Sequence, residues 1–123
     1  MSVPLLVVSP HLDDAVLSCG RLLAANPGSV VVTVLAGSPP DGLFVDWDRR
    51  GGFRPGDDVI AQRRREDRRA LRLLRARPVW LEFRDDAYRD EPLDAAAVRR
   101  QVTDVVESLD PSLVAVPLGI RHP

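Results

Sequence analysis

Residue types that several enzyme mechanisms require are missing or scarce in this sequence. All 17 cationic side chains are arginine and none is lysine, which excludes Schiff-base chemistry and every other lysine-dependent mechanism. The single cysteine, Cys19, excludes an internal disulfide. Because Cys19 lies at helical spacing among apolar residues, we expect a small buried hydrophobe rather than a catalytic thiol.

Long apolar runs and an excess of charge of one sign are also missing. No stretch approaches the ~20 apolar residues of a membrane span, and the first ten residues lack a basic leader and a small-residue cleavage site. The formal net charge is -1, so no overall electrostatic field favours binding to nucleic acid or to an anionic membrane. The sequence therefore predicts a cytoplasmic protein without a membrane or nucleic-acid partner, and it leaves the oligomeric state open.

Short apolar runs alternate with amphipathic helical patterns along the 123 residues, which suit a single domain spanning 1–123. The predicted strands are 5–8, 30–35, 79–83 and 113–116, and the predicted helices are 13–25, 57–75 and 94–109. Such alternation indicates an α/β fold, a Rossmann-like three-layer sandwich with a mainly parallel sheet and helices on both faces. The long segment 36–56 is rich in Gly, Pro and Asp. Its aromatic residues (Phe44, Trp47 and Phe53) are expected either to form a wall or lid beside a site or to pack against the domain.

The stretch Ser-Pro-His-Leu-Asp-Asp follows the first predicted strand, at the sheet edge where α/β proteins bind ligands. With a helix starting near Asp13, His11 and Asp14 lie on one side of its first turn. Imidazole and carboxylate are ordinary zinc ligands, and Asp13 would be free to accept a proton from an activated water. The alternative is structural, with one of the two acids capping the helix and the other favouring its dipole.

His122 follows the last predicted strand, on the same sheet edge as His11. It is a candidate for a further metal ligand or for an acid that protonates a leaving group. A tail residue without a function is the alternative at this penultimate position.

The segment Val7–Gly20 resembles the PHxDD signature of the PIG-L/LmbE-like zinc-dependent de-N-acetylases. Further segments resemble successive blocks of that family in order: 32–40, 47–53, 63–71, 81–89 and 114–123. The resemblance implies that His11 and Asp14 bind Zn²⁺, or another divalent metal, and that Asp13 is the general base. It also implies an amide hydrolase that removes the acetyl group from a small N-acetylated amino sugar or its conjugate.

The same resemblance implies roles for three residues further along the chain. Arg63 and Glu66 match the family's Arg-x-x-Glu helix pattern and are expected to shape the site and hold substrate. Asp85 precedes the Tyr88-Arg89 pair and is expected to contact substrate hydroxyls. For Arg63 and Glu66 the alternative is a solvated helix face with an internal ion pair.

The C-terminus departs from the family pattern, which closes the site with a His-x-x-His segment. By resemblance His122 is the acid or electrophile, and the third zinc ligand would follow Pro123. The sheet is therefore expected to be incomplete at the C-terminus, and the activity of this chain stays open.

Two other classes of function compete with the hydrolase. One is a non-catalytic sugar- or nucleotide-binding α/β module, although no glycine-rich phosphate loop is present. The other is a receiver-like phospho-signalling domain, which would need a lysine near its last strand and has no use for His11.

Overall fold

The computed structural model describes residues 2–41 and 43–117, and its helices and strands alternate along the chain. The elements in order are β1 (Leu6–Ser9), α1 (Asp14–Ala25), β2 (Val30–Thr33), α2 (Asp46–Arg50), α3 (Val59–Leu73), β3 (Arg77–Trp80), a 3-10 turn (Asp86–Tyr88), α4 (Ala95–Leu109) and β4 (Val114–Ala115). No helix among these residues is long and apolar enough to cross a membrane.

The strands form one parallel sheet in the order β3-β2-β1-β4. In register, Ser9 of β1 pairs with Thr33 of β2, and Thr33 pairs with Trp80 of β3. All four residues of β2 are buried, as expected of a central strand covered by helices on both faces. The predicted parallel α/β fold is confirmed, and the carboxyl ends of its strands lie at one edge of the sheet.

Alternate strand residues build a separate hydrophobic core on each face of the sheet. On one face Leu6, Val30 and Val32 are fully buried beneath the valines of α4. On the other face the core is closed by α1 and α3, and its buried members are Leu5, Val7, Ala15, Leu23, Val31 and Leu71. Cys19 packs against this second core and is partly buried, whereas the sequence predicted a buried residue. The resulting order of layers is α4, sheet, and α1 with α3.

The structure differs from the predicted elements in several places, and β2 and β3 end at Thr33 and Trp80 rather than at Leu35 and Phe83. β3 starts at Arg77, two residues before the predicted strand, because the backbone N–H of Arg77 already donates to Ser29 O. The segment 36–56, expected to be a loop, contains the short helix α2. The 3-10 turn at Asp86–Tyr88 was not predicted either, and both short elements lie at the sheet edge that carries the site.

The α3–β3 connection contains Arg75, whose φ of 55° places it in the left-handed region. This conformation costs a non-glycine residue ~1–2 kcal/mol, more than the ~0.5–1 kcal/mol by which glycine loosens the unfolded chain. We therefore expect Arg75→Gly to raise the free energy of unfolding by about 0.5 kcal/mol in urea denaturation. Arg72→Gly, inside the last turn of α3, is the matched control and should lower it by about 1 kcal/mol. Equal destabilisation by both changes would contradict the strain at Arg75.

Candidate active site

The turn between β1 and α1 brings the predicted metal ligands together. The Asp14 Oδ2 atom lies 3.1 Å from His11 Nδ1 and accepts the backbone N–H of His11 at 3.0 Å. The Ser9 hydroxyl donates to the carbonyl of His11 at 2.7 Å. These contacts fix both the main chain and the ring of His11, so the imidazole and the carboxylate of Asp14 face each other.

The other side of the imidazole meets a third acid. His11 Nε2 lies 3.3 Å from Oδ1 of Asp85, a residue that follows β3. A neutral imidazole carries one N–H, so it can donate to only one of the two carboxylates. The second ring nitrogen then directs its lone pair at a carboxylate oxygen, and a bound cation at that position would satisfy both groups.

The donors fit two positions of a divalent metal site. His11 and Asp14 supply the imidazole nitrogen and carboxylate oxygen that zinc takes in catalytic sites. Within residues 2–41 and 43–117, however, no group of three His, Cys, Asp or Glu side chains is arranged to hold an ion. A complete site therefore needs at least one further protein ligand. His122, the residue predicted nearby, lies outside the described residues.

Asp13 adopts a conformation that separates it from Asp14. Its φ is 77° and ψ is -20°, which is left-handed, and its side chain does not cap α1. By contrast, the carboxylates of Asp58 and Asp94 cap α3 and α4 by accepting the N–H groups of Ala61 and Ala97. Capping by Asp13 is thus wrong as an explanation for the acid pair.

The carboxyl group of Asp13 lies in an acidic setting. Partial burial raises its pKa, and the neighbouring carboxylates of Asp67 and Glu66 raise it further, while Arg63 acts in the opposite direction. A raised pKa makes a carboxylate a stronger base, which suits a group that takes a proton near neutral pH.

The side chain of Asp13 lines a cleft of about 300 Å³ beside the predicted metal ligands. The cleft combines acidic, cationic and aromatic side chains from several elements. Its lining residues are His11, Leu12, Asp13, Leu35, Trp47, Gly51, Phe53, Ile60, Arg63, Glu66, Asp85, Ala87 and Tyr88. Another groove, of about 380 Å³, runs between α1 and β4, but its lining is mostly apolar and includes only Asp14 of the predicted site residues.

Of the predicted site residues in the described part of the chain, all but Asp14 line the cleft, and Asp14 contacts His11 at its edge. Arg63 and Glu66 both line it, which supports the register chosen within the arginine run. Arg64, one residue later, turns away and donates to the carbonyl of Ala36 and to Glu82. Two of the three aromatic residues expected to form a wall do line the cleft: Trp47, which is 61% exposed, and Phe53. Phe44 instead lies against Arg49, outside this cleft.

Behind the cleft, a buried group of polar residues fixes Arg63. The Tyr88 hydroxyl donates to Asp48 Oδ1 at 2.6 Å, and Arg63 lies 3.9 Å from the same oxygen. Burial raises the pKa of Tyr88, and the Asp48 carboxylate raises it further, so the phenol stays protonated. The guanidinium of Arg63 also stacks over Phe53, with 5.5 Å between its central carbon and the ring centre. The importance of Asp48 was not predicted, since nothing in the local pattern marks it as buried.

A second buried acid, Asp67 on α3, was also missed by sequence reasoning. It is 2% exposed, and its Oδ2 accepts the indole N–H of Trp80 at 2.9 Å. Burial raises its pKa above the ordinary value, although the hydrogen bonds from Trp80 and the Asp13 backbone oppose the shift.

The raised pKa of Asp67 predicts a pH dependence of stability. The folded protein binds the Asp67 proton more tightly than the unfolded chain, so stability falls as pH rises from about 3.8 through the folded-state pKa. We expect the free energy of unfolding of wild-type protein to fall over this window relative to that of Asp67→Asn. Above the window, the difference between the two proteins should no longer change with pH. Urea denaturation of both proteins at a series of pH values measures this difference. A difference independent of pH would show that Asp67 is not perturbed.

Comparisons with known proteins agree with this geometry. The PIG-L family model, described as GlcNAc-PI de-N-acetylase, matches residues 6–122. A triple mutant of a deacetylase from the teicoplanin biosynthetic pathway superimposes with a TM-score of 0.82 and 35% identity, covering 96% of this chain and 52% of that one. The pseudoaglycone deacetylase Dbv21 gives a TM-score of 0.81 and 37% identity, covering 93% and 50%.

A third solved structure, the zinc-inhibited form of teicoplanin deacetylase Orf2, gives a TM-score of 0.79 and 29% identity, covering 93% of this chain and 55% of that one. The chain thus spans about half the length of the solved structures it matches. No curated protein matches it significantly. The family match leaves the receiver-like interpretation without support. From the family match over nearly its whole length, the parallel fold and the His-x-Asp-Asp turn beside the cleft, this chain belongs to the PIG-L family of de-N-acetylases.

Proposed function

We propose that this domain carries part of the active site of a metal-dependent deacetylase that acts on an N-acetylated amino sugar or its conjugate. The observation that carries the proposal is the β1–α1 turn, where His11 and Asp14 converge while Asp13 is directed separately toward the cleft. The deacetylases among the solved structures support this reaction class. A fold alone would not, because one fold hosts many reactions.

His11 and Asp14 would hold Zn²⁺ or another divalent ion together with a ligand beyond the described residues. Such an ion, when bound, polarises a carbonyl and lowers the pKa of water toward neutrality. Asp13 then accepts the proton of the attacking water, because its pKa is raised and its carboxyl group borders the cleft. His122 remains our candidate for the group that protonates the departing amine.

Asp85 is proposed to hold the ring of His11 as well as to contact substrate. Histidine ligands usually donate their second ring N–H to a carboxylate, which fixes the tautomer and the ring orientation. With the metal on Nδ1, Nε2–H would donate to Asp85 Oδ1, which also accepts the Asp86 N–H at 2.7 Å. The Oδ2 atom of Asp85 is then the oxygen available to a sugar hydroxyl.

The remaining cleft residues suit a sugar. Arg63 and Glu66 offer donors and acceptors to hydroxyl groups, and both side chains project from α3. Trp47 offers an exposed aromatic face on which a sugar ring can pack, while Phe53 is held in place by Arg63. We therefore propose a small-molecule amino-sugar substrate, bound with its acetamide toward His11.

Zinc titration tests the metal ligands directly. Asp14→Ala should weaken zinc binding at least tenfold by calorimetry, because it removes one of the two proposed ligands found among the described residues. Asp46→Ala is the matched control, because Asp46 is an exposed acid whose partner among the described residues is Arg50 on α2. Unchanged affinity in Asp14→Ala would remove Asp14 from the ligand set, and a tight stoichiometric site in wild-type protein would show that the ligand set is already complete.

Acetate release tests the reaction itself. The protein carrying this domain, supplied with Zn²⁺ and an N-acetylglucosamine conjugate, should release acetate and expose a free amine that mass spectrometry detects. If the sugar binds but no acetate forms with Zn²⁺ or other divalent ions, the non-catalytic sugar-binding module becomes the better description. The incomplete ligand set among the described residues is the observation that favours this second candidate.

A further inference from the structure

The buried carboxylate of Asp48 has no part in the proposed chemistry. Asp48 lies on α2 and is 1% exposed, whereas Asp46 on the same helix is an exposed acid that pairs with Arg50. Removing a carboxylate from water is unfavourable unless hydrogen bonds and an opposite charge compensate. The partners of Asp48 therefore have to account for an acid at this position.

Two partners from different elements face the carboxylate. The hydroxyl of Tyr88, at the end of the 3-10 turn, donates to Oδ1 at 2.6 Å. A terminal nitrogen of Arg63, on α3, lies 3.9 Å from the same oxygen, which is beyond hydrogen-bond range but close enough for charge attraction. Asp48 thus joins α2, α3 and the 3-10 turn, and each of these elements contributes residues to the cleft.

The turn that follows α2 surrounds the guanidinium of Arg63. The carbonyl oxygen of Asp48 accepts the N–H groups of Gly51 and Phe53, both at 3.1 Å, which folds this turn back on the helix. The Phe53 ring centre then lies 5.5 Å from the central guanidinium carbon. A Cβ atom at Gly51 would lie 3.5 Å from a terminal nitrogen of the same group, so the guanidinium packs close to the main chain. Asp48 therefore holds Arg63 through its carboxylate and through the turn that its carbonyl group fixes.

These contacts leave Arg63 able to bind a substrate. Because Asp48 Oδ1 lies at 3.9 Å, it balances the charge of Arg63 without taking a short hydrogen bond from it. Arg64, in contrast, uses its donors on the carbonyl of Ala36 and on Glu82. The side chain of Arg63 is 28% exposed and lines the cleft, so its N–H groups can reach an oxygen atom of a bound sugar.

We propose that Asp48 is a positioning residue: Tyr88 fixes its buried carboxylate, which in turn holds the Arg63 guanidinium beside the cleft, where it donates to a substrate oxygen. The consequence for binding rests on the proposed function of the cleft as a sugar site. The contact between Asp48 and Tyr88 does not, so the two claims can fail separately.

A double-mutant cycle tests whether Asp48 acts through Arg63. Asp48→Asn keeps an acceptor for Tyr88 but removes the charge. In the protein that carries this domain, it should raise KM for an N-acetylglucosamine conjugate roughly fivefold or more, while kcat changes less than about threefold. In an Arg63→Gln background, Asp48→Asn should change KM less than about twofold, because the group that it positions is gone.

Asp46→Asn is the matched control for this cycle. It removes the same charge from an exposed position of α2 and should leave KM unchanged. An Asp48→Asn effect of equal size in both backgrounds, or a loss of kcat at constant KM, would overturn the proposal. The second outcome would mean only a smaller folded fraction. If Asp48→Asn does not fold, Tyr88→Phe replaces it in the cycle, because it removes the hydrogen bond that fixes the same carboxylate.

Ionisation of Tyr88 tests the contact without an activity assay, because Tyr88 is the single tyrosine of the chain. Burial raises the pKa of its phenol, and the Asp48 carboxylate raises it further. Folded wild-type protein should therefore show less than about a tenth of the full tyrosinate absorbance at about pH 10, where a free tyrosine is half ionised. Asp48→Asn should form tyrosinate at a lower pH than wild type, and Asp46→Asn should not. Half ionisation of folded wild type at about pH 10, or matching curves for wild type and Asp48→Asn, would overturn the proposal.

Failure of the proposed function gives a different pattern of results. If no acetate is released, the same cycle is measured on the Kd of the conjugate by calorimetry, with the same expected outcome. If the conjugate does not bind, the role of Asp48 in binding is overturned together with the sugar site. Suppressed ionisation of Tyr88 would in that case still support the contact itself.

Discussion

Replacing Asp13 by asparagine is expected to lower kcat by about 10²–10⁴-fold, the usual contribution of a general base. Asparagine has the same shape and tolerates the left-handed region better than most residues, so the backbone at φ 77° should be kept. The variant loses only the basic carboxylate. The measurement is acetate release under saturating substrate by the protein that carries this domain.

Zinc affinity provides the control for Asp13→Asn, since the ring of His11 pairs with Asp14 and Asp85 rather than with Asp13. Zinc binding should stay within a few fold of wild type, whereas Asp14→Ala should lower binding and turnover together. Turnover that survives in Asp13→Asn within a few fold would show that another group takes the proton.

Gly37→Ala is expected to cause the largest loss of stability. A Cβ atom at Gly37 would overlap the carbonyl oxygen of Glu82, and it would lie 2.6 Å from the Glu82 carbonyl carbon and 2.9 Å from Phe83 O. All of these are backbone atoms of the segment after β3, and the Gly37 N–H donates to Phe83 O at 2.9 Å. The two segments would have to separate, at a cost of about 3 kcal/mol.

Thermal unfolding measures the effect of Gly37→Ala, which should lower Tm by roughly 10 °C or more. Gly20→Ala is the matched control, because nothing lies within 4 Å of a Cβ at Gly20 and alanine favours the α1 helix. It should leave stability unchanged or raise it slightly. Similar Tm values for the two variants would show that the segments after β2 and β3 are not in close contact.

The amino-acid pattern alone was enough for the long helices and the parallel strands, and for grouping the proposed metal ligands at the β1–α1 turn. Continuous apolar runs and amphipathic spacing depend on neighbours within a few residues, so they predicted the parallel strands and the α1, α3 and α4 helices. His11, Asp13 and Asp14 lie within one turn of backbone, and their grouping follows from their spacing. The segment 36–56 was less predictable, because α2 is five residues long and its periodicity is too short to recognise.

The charged run in α3 shows where local pattern stops being informative. Residues 63–69 are all charged, so no apolar periodicity indicates which of them face inward. In the structure Arg63 and Glu66 reach the cleft, Arg64 bonds to the backbone after β2, and Asp67 is buried. Contacts with Trp80 and with the backbone after β2 decide which of these side chains face inward.

By itself the sequence determined the α/β class and the family, and it grouped the proposed metal ligands His11 and Asp14, whose spacing is local. Tertiary structure alone placed Asp85 beside His11, across 74 positions of sequence, and buried Asp48 beneath Tyr88 and Asp67 beneath Trp80. Those contacts arise where the carboxyl ends of different strands meet. A carboxylate is stable in the interior only where distant donors converge on it, and spacing along the chain does not encode that convergence.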